Sequence, residues 1–310
     1  LIKKMKAWKD SASLILAYNY NLLCLKRHRN SKFMPSTYVF PGGVIDPSDA
    51  DLKWHNIYSA FGFDANSFKS LSPNAPNRPQ IFKFKPNELP REISLRITAI
   101  RETFEESGIL LCNNLFDNAS ITKIKSVSLN ELYNWQTRVH NDAREFYTLC
   151  KDFNCYPDLW SLYEWSNWLT PTCFIGRRYD TAFYLACIAT MPQTIYEITE
   201  MEDLKWDMPG NFLFSSPDAV FPPPQQYEIA RIAKFESIHN LLDFAVDRGK
   251  MGVLLNLPVQ LQDGKVHVLP GDSMYPNKLY VQNFDSADGH LAPLQLKNVS
   301  IAVARKNSKL

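Results

Sequence analysis

Apolar positions along the chain fall into short runs separated by turn-forming residues. Ser13–Tyr18 and Leu22–Arg27 are two such runs, and the polar break at Asn19-Tyr20-Asn21 predicts two strands joined by a turn. Further runs predict strands at Thr37–Phe40, Ile109–Leu111, Phe183–Ala189 and Leu204–Met208. Between Ile93 and Ser107 the spacing changes to that of a helix: Ile97, Ile100 and Phe104 mark one apolar side, Glu102, Glu105 and Glu106 the other, and Gly108 supplies a stop. Leu129–Leu149 and Pro157–Leu169 also have helical spacing and predict a second insertion between core elements. From Asp46 to Pro90 the chain is rich in Pro, Asn, Ser and Phe without clear periodicity, as expected of a long segment laid over the core. Beyond Gln260, Gly264–Asp272 reads as a hairpin followed by a tail with no assigned role.

Composition narrows the function classes. With 310 residues, 45% of them apolar, the chain can bury a large core, and it suits one embellished domain. No apolar run approaches the roughly 18 residues of a membrane span. A formal charge of +2 argues against general nucleic-acid binding, which calls for a basic excess or stripe. The six cysteines form no CxxC pair and no zinc-like spacing, so they are expected to be reduced, mostly buried thiols. The histidines are scattered and contain no HExxH. In Tyr156–Leu169, Trp160, Trp165 and Trp168 can line an apolar channel or pack in the core; packing is the expectation.

Glu102, Glu105 and Glu106 leave one helix face within about a turn of each other, so they repel. Two readings are open, a solvated helix face or a cluster that holds a hard divalent cation such as Mg2+ or Mn2+ against substrate phosphates. Arg101 lies close enough to offset part of the repulsion.

Arg101-Glu102-Thr103-Phe104-Glu105-Glu106-Ser107-Gly108-Ile109 resembles the second half of the Nudix box, with Thr103 in place of the usual apolar residue. Phe40-Pro41-Gly42-Gly43 resembles its glycine-rich entry. The 58 positions from Gly43 to Arg101 exceed the 14 of an ordinary box by about 44, and Ile93, beside Glu92, stands where the first glutamate is expected. One branch of the family carries this interruption, the peroxisomal coenzyme A diphosphatases. Its members resemble the chain at Val39–Asp46, Arg96–Leu111, Trp168–Pro171, Arg177–Phe183 and Pro223–Glu228.

The resemblance implies an α/β Nudix fold, a mixed sheet sandwiched between helices. It places a Nudix domain at 1–235, with insertions at about 46–90 and 112–168, and a C-terminal extension at 236–310. It also implies metal-dependent hydrolysis of the coenzyme A or acyl-coenzyme A diphosphate to adenosine 3′,5′-bisphosphate and 4′-phosphopantetheine or its acyl form. Glu105 and Glu106 then bind Mg2+ or Mn2+, and Glu102 completes the coordination or takes the proton of the attacking water. Arg101 orients Glu102 or Glu105, and a carbonyl at Gly42-Gly43 is a further ligand. Glu200, six residues before Trp206, is a candidate ligand or base, with Glu202 as rival. Counted back from Phe40, the coenzyme A signature puts basic residues at Arg27 and Lys32 for the 3′-phosphate or diphosphate, although Cys24, Leu25, His28 and Ser36 depart from it. Phe40 and Gly42 border the substrate. Other readings are a dinucleotide or capped-RNA hydrolase and a non-catalytic Nudix-fold binding module. Ser308-Lys309-Leu310 has the sequence of a peroxisomal import tripeptide, which predicts recognition by the import receptor and a place in the peroxisomal matrix.

Overall fold

The computed structural model describes residues 8–72, 78–114, 128–171, 176–216, 218–248, 253–255, 257–261, 264–269, 272 and 274. Ser308-Lys309-Leu310 lies outside them. The strands are β1 (Lys9–Tyr18), β2 (Asn21–Arg27), β3 (Tyr38–Val39), β4 (Gly42–Val44), β5 (Cys112–Asn113), β6 (Tyr156–Pro157), β7 (Tyr163–Leu169), β8 (Tyr179–Ile188), β9 (Met201–Asp207), β10 (Val253–Leu255), β11 (Leu257–Leu261) and β12 (Gly264–Val268). The helices are α1 (Trp54–Ala60), α2 (Arg91–Ser107), α3 (Leu129–Asn141), α4 (Glu145–Asp152), α5 (Pro209–Phe214), α6 (Pro223–Ile232) and α7 (Ile238–Arg248).

The main sheet is mixed. β1 runs parallel to β8 along its whole length, β7 pairs antiparallel with β8, and β10 joins β7 at the edge. β1 and β2 form a hairpin whose strands part after Ala17↔Leu22, and the segment 38–44 fills the fork. On one arm β3 pairs with β2; on the other β4 pairs with β1. β9 closes the far side of β2.

Alternation along β1 sends side chains to two cores. Leu14 and Leu16 face a cluster shared with Leu95, Ile97, Ile100 and Phe104 of α2. Ile15 and Ala17 face the opposite cluster, closed by Phe212 of α5, Ile229 and Ile232 of α6, and Leu241 and Ala245 of α7. The sheet is therefore sandwiched between helices, as the resemblance implies. Part of the 46–90 segment is pinned on the first face, where Phe63 and Phe68 stack on Trp160.

Three sequence expectations are corrected. Pro157–Leu169 is not a helix: Tyr163–Leu169 is β7, because an aromatic-rich segment beside the open edge of β8 satisfies its backbone by ladder pairing. Ile109–Leu111 forms no strand; pairing starts at Cys112, and Leu111 instead accepts from the Asp158 amide at 3.0 Å. Leu129–Leu149 is broken between α3 and α4, where the Asp142 carboxylate turns back onto the Arg144 amide at 3.0 Å. The hairpin expected beyond Gln260 begins earlier, its first strand being β11 at Leu257–Leu261, paired with β12. Among the described residues no helix is long and apolar enough to cross a membrane.

Candidate active site

The site forms where the carboxylate end of α2 meets the filled fork of the sheet. α2 ends on Gly108, whose left-handed backbone (φ 71°) lets its amide return to the Phe104 carbonyl at 2.8 Å. The segment before β9 holds the same end: Ile195 donates to the Ser107 carbonyl at 2.9 Å and Glu197 to that of Glu106 at 3.2 Å. Gln136 of α3 bridges the carbonyls of Glu105 and Ile195 at 2.9 and 2.7 Å.

Gly42 and Gly43 meet this helix at contact distance. The Gly42 amide donates to Glu106 Oε2 at 3.0 Å, and a Cβ at Gly42 would lie 2.4 Å from the Ala12 carbonyl oxygen. At Gly43 a Cβ would stand 2.3 Å from the Glu102 carboxyl carbon. At Gly42 the obstacle is backbone, so the fork closes only without a side chain there; at Gly43 it is the Glu102 carboxylate, which a side chain would push aside.

Arg101 is the hub beneath the carboxylates. Its Nε and Nη2 donate to the two oxygens of Asp49, each at 2.8 Å; its Nη1 donates to Glu105 at 2.5 Å, and its Nη2 lies 3.0 Å from Glu102. Asp49 is buried and also accepts from Thr98 at 2.9 Å and from the Asp46 amide at 3.0 Å. The sequence reading missed Asp49, which lies inside the interruption of the box. Its signal was local: Asp46-Pro47-Ser48-Asp49 has the spacing of a capping box, and Asp46 caps the short 3-10 turn Pro47–Ala50.

One arginine does not balance this charge. Burial raises the Glu102 carboxyl to about 8, with Arg101 opposing the rise and Glu105, Asp49 and Glu200 adding to it. Burial likewise raises Glu105 to about 7, again against Arg101, and lifts Glu106 well above the usual carboxylate range. Such a cluster keeps protons unless a cation replaces them. The donors are all oxygens, so the set fits a hard divalent ion such as Mg2+ or Mn2+.

The remaining sequence candidates sort by position. Glu200 borders the same groove as Glu102 and Glu106 and acts electrostatically on all three box glutamates. Its rival Glu202 is engaged with Arg29, accepting from its amide at 2.9 Å. Neither residue at the expected first-glutamate position serves the cluster: Ile93 is in the core, and Glu92 pairs with Arg78 at 3.0 Å. The groove encloses about 800 Å3. Arg27 and Lys32 border it; Arg27 lowers the carboxyl of Glu106 and is steadied by Ser31 Oγ and the Phe33 carbonyl at 2.8 and 3.0 Å, while Lys32 is exposed. Phe40 is buried, edge-on to Phe183 with ring centres 6.4 Å apart, and forms part of the groove floor.

Two features, one at the groove rim and one buried behind its wall, escaped sequence reasoning. Arg177 is exposed at the rim and adds a third cation. Glu228 of α6 is fully buried and accepts from Trp165 and Trp168, each at 2.8 Å, and from Ser166 at 2.7 Å. It ties β7 to the helix whose first turn borders the groove. Trp165 and Trp168 are core residues, and Trp168 also reaches the groove.

Comparison with known proteins places this geometry. The model of the NUDT19 Nudix domain matches residues 3–232. The chain is 36% identical to the acyl-coenzyme A diphosphatase NUDT19 of Xenopus laevis, covering 88% of this chain and 82% of that protein. It is 33% identical to the human protein of the same name, covering 86% and 80%. Among solved structures, a Nudix hydrolase from Alicyclobacillus acidocaldarius superposes over 78% of this chain and 97% of its own with a TM-score of 0.56 at 19% identity, a likeness of fold. The interrupted box, the acidic helix face closed by Gly42 and Gly43, and the match across the domain agree: the chain belongs to the NUDT19 family of Nudix hydrolases.

Proposed function

We propose that the protein hydrolyses the diphosphate of coenzyme A and acyl-coenzyme A, releasing adenosine 3′,5′-bisphosphate and 4′-phosphopantetheine or its acyl form. The observation that carries the reading is the continuity of two chemistries in one groove: over-crowded carboxylates at Glu102 and Glu106, and cations at Arg27, Lys32 and Arg177. The names of the NUDT19 relatives support this choice of substrate.

Glu105 and Glu106 are the principal carboxylates for a divalent cation, Mg2+ or Mn2+, with Glu102, Glu200 and the Gly43 carbonyl as further donors. An ion held by these residues would supply neutralisation of phosphate charge and polarisation of the attacked phosphorus. Glu102, whose carboxyl burial raises to about 8, is suited to take a proton from water where it does not complete the coordination. Arg101 fixes Glu102 and Glu105 through charge-assisted bonds and is itself fixed by Asp49. Arg27 and Lys32 receive the 3′-phosphate or diphosphate, and Gly42 with Phe40 shapes the floor beside it. Ser308-Lys309-Leu310 supports delivery to the peroxisomal matrix by the import receptor.

The test is product identification by mass spectrometry after incubation with coenzyme A and Mg2+ or Mn2+, beside a chelated sample and Glu105→Gln. Adenosine 3′,5′-bisphosphate and 4′-phosphopantetheine should appear only with metal, and the folded variant should keep less than about a tenth of the activity. Cleavage of a dinucleotide or capped RNA in preference to coenzyme A would redirect the substrate assignment; no turnover of any of them by folded protein would leave a binding module.

A further inference from the structure

Three thiols that are scattered in sequence meet in the core. Cys112 of β5, Cys150 near the end of α4 and Cys155 just before β6 bring their sulfurs within 4.8 Å of one another, all buried. They are free thiols. Backbone bonding sets their positions: the Cys155 amide donates to the Cys150 carbonyl at 2.9 Å, and the short β5–β6 ladder puts Cys112 opposite Pro157.

Hydrogen bonds from the thiols of Cys112 and Cys150 lower Cys155 to about 5, while burial raises the other two. Only the other two thiols and burial act on Cys155. Among the described residues no histidine or carboxylate joins the three sulfurs. The nearby Tyr58 hydroxyl donates to the Pro157 carbonyl at 3.0 Å. Three buried sulfurs that face one another make a compact set of soft donors.

We propose that Cys112, Cys150 and Cys155 form an all-sulfur site for one soft d10 cation, Zn2+ or Cu+, loaded as the chain folds. Thiolates select such ions, whereas the oxygen donors around Glu105 select hard ones, so the two sites do not compete. With metal–sulfur bonds of about 2.3 Å, three sulfurs around one ion stand about 4 Å apart, within the 4.8 Å that bounds their separations here. Binding of Zn2+ to one thiolate and two thiols forms three metal–sulfur bonds and releases two protons to solvent, leaving one negative charge; Cu+ bound in the same way also releases two protons and leaves two negative charges. Zn2+ leaves less buried charge than Cu+; the lack of a fourth donor among the described residues favours Cu+ over the usual four-coordinate zinc. The site would brace the exit of α2, four residues past Gly108, against α4.

The test is elemental analysis of the full-length protein after desalting, together with ultraviolet absorption and a thiol count under denaturing, non-reducing conditions. About one zinc or one copper per chain is expected, with a thiolate-to-metal charge-transfer band and six titratable thiols after metal removal. Which element is found identifies the ion. Cys112→Ala and Cys150→Ala should lose metal and band, whereas Cys187→Ala and Glu105→Gln should keep both. Parent protein refolded with Zn2+ or Cu+ that retains neither, or fewer than six thiols because two are joined, overturns the proposal; these readouts on the parent decide even where a cysteine variant fails to fold.

Discussion

Asp49→Ala is the most informative single change, because it tests whether the interruption of the box is part of the site. The substitution deletes four hydrogen bonds to one buried carboxylate: two from Arg101, one from Thr98 and one from the Asp46 amide. Removing one partner of a buried ion pair costs about 3–5 kcal/mol. Arg101 keeps Glu102 and Glu105 as partners, which places the loss near the lower bound, about 3 kcal/mol. Urea unfolding in chelator should show this as a lowered midpoint with an unchanged slope. Turnover should fall about tenfold or more, because Arg101 no longer has a fixed seat from which to orient the glutamates. Asp49→Asn, which keeps an acceptor, should lose less on both measures. A stability loss below about 1 kcal/mol together with parental turnover would refute the assignment of Asp49 as the anchor of Arg101.

Other outcomes follow from the same geometry. Gly43→Ala should leave the fold intact but displace the Glu102 carboxylate, lowering kcat about 100-fold; a kcat within threefold of the parent would show that Glu102 has room to move without consequence. In chelator, folded protein holds protons on Glu102 and Glu105 up to about 8 and about 7, against 4.5 for an ordinary glutamate. Their contribution to stability is therefore full below about pH 4.5 and is lost as pH rises through 7 to 8, so thermal melts should decline over that window and Mg2+ should restore more at about pH 8.5 than at pH 6. A pH-independent melt, or equal rescue at both values, would contradict this. Replacing both Arg27 and Lys32 by Ala should raise KM for coenzyme A more than for a substrate lacking the 3′-phosphate; equal increases would remove them from 3′-phosphate recognition.

Much of the site was legible because its chemistry is local in sequence. Glu102, Glu105 and Glu106 lie within about a turn of each other, so periodicity alone put their carboxylates on one face, with Arg101 beside them. The same was true of the first hairpin, where Asn19-Tyr20 breaks an apolar run. Asp49 and Glu228 were not legible, since each matters through a partner 50 or more residues away: Asp49 through Arg101, Glu228 through Trp165 and Trp168; Arg177 was not because only the fold brings it to the groove rim. The thiol cluster shows the same limit, because Cys112 reaches the other two only through the β5–β6 ladder. β7 was misread as a helix because its aromatic spacing fits either period, and only the open edge of β8 decides between them.

The parallel pairing of β1 with β8 has a consequence for biosynthesis. Ser11 and its neighbour Thr181 are 170 residues apart, so at ribosomal rates β1 is made roughly 10–30 s before the strand that covers its long edge. During that interval the hairpin with β2 shields only the turn end, and Leu14, Ile15 and Leu16 have no partner on the other side. Synthesis thus exposes a sticky nascent edge that calls for chaperone protection until residue 188 has emerged, and conditions that slow elongation should lower the soluble yield more than they lower the total amount made.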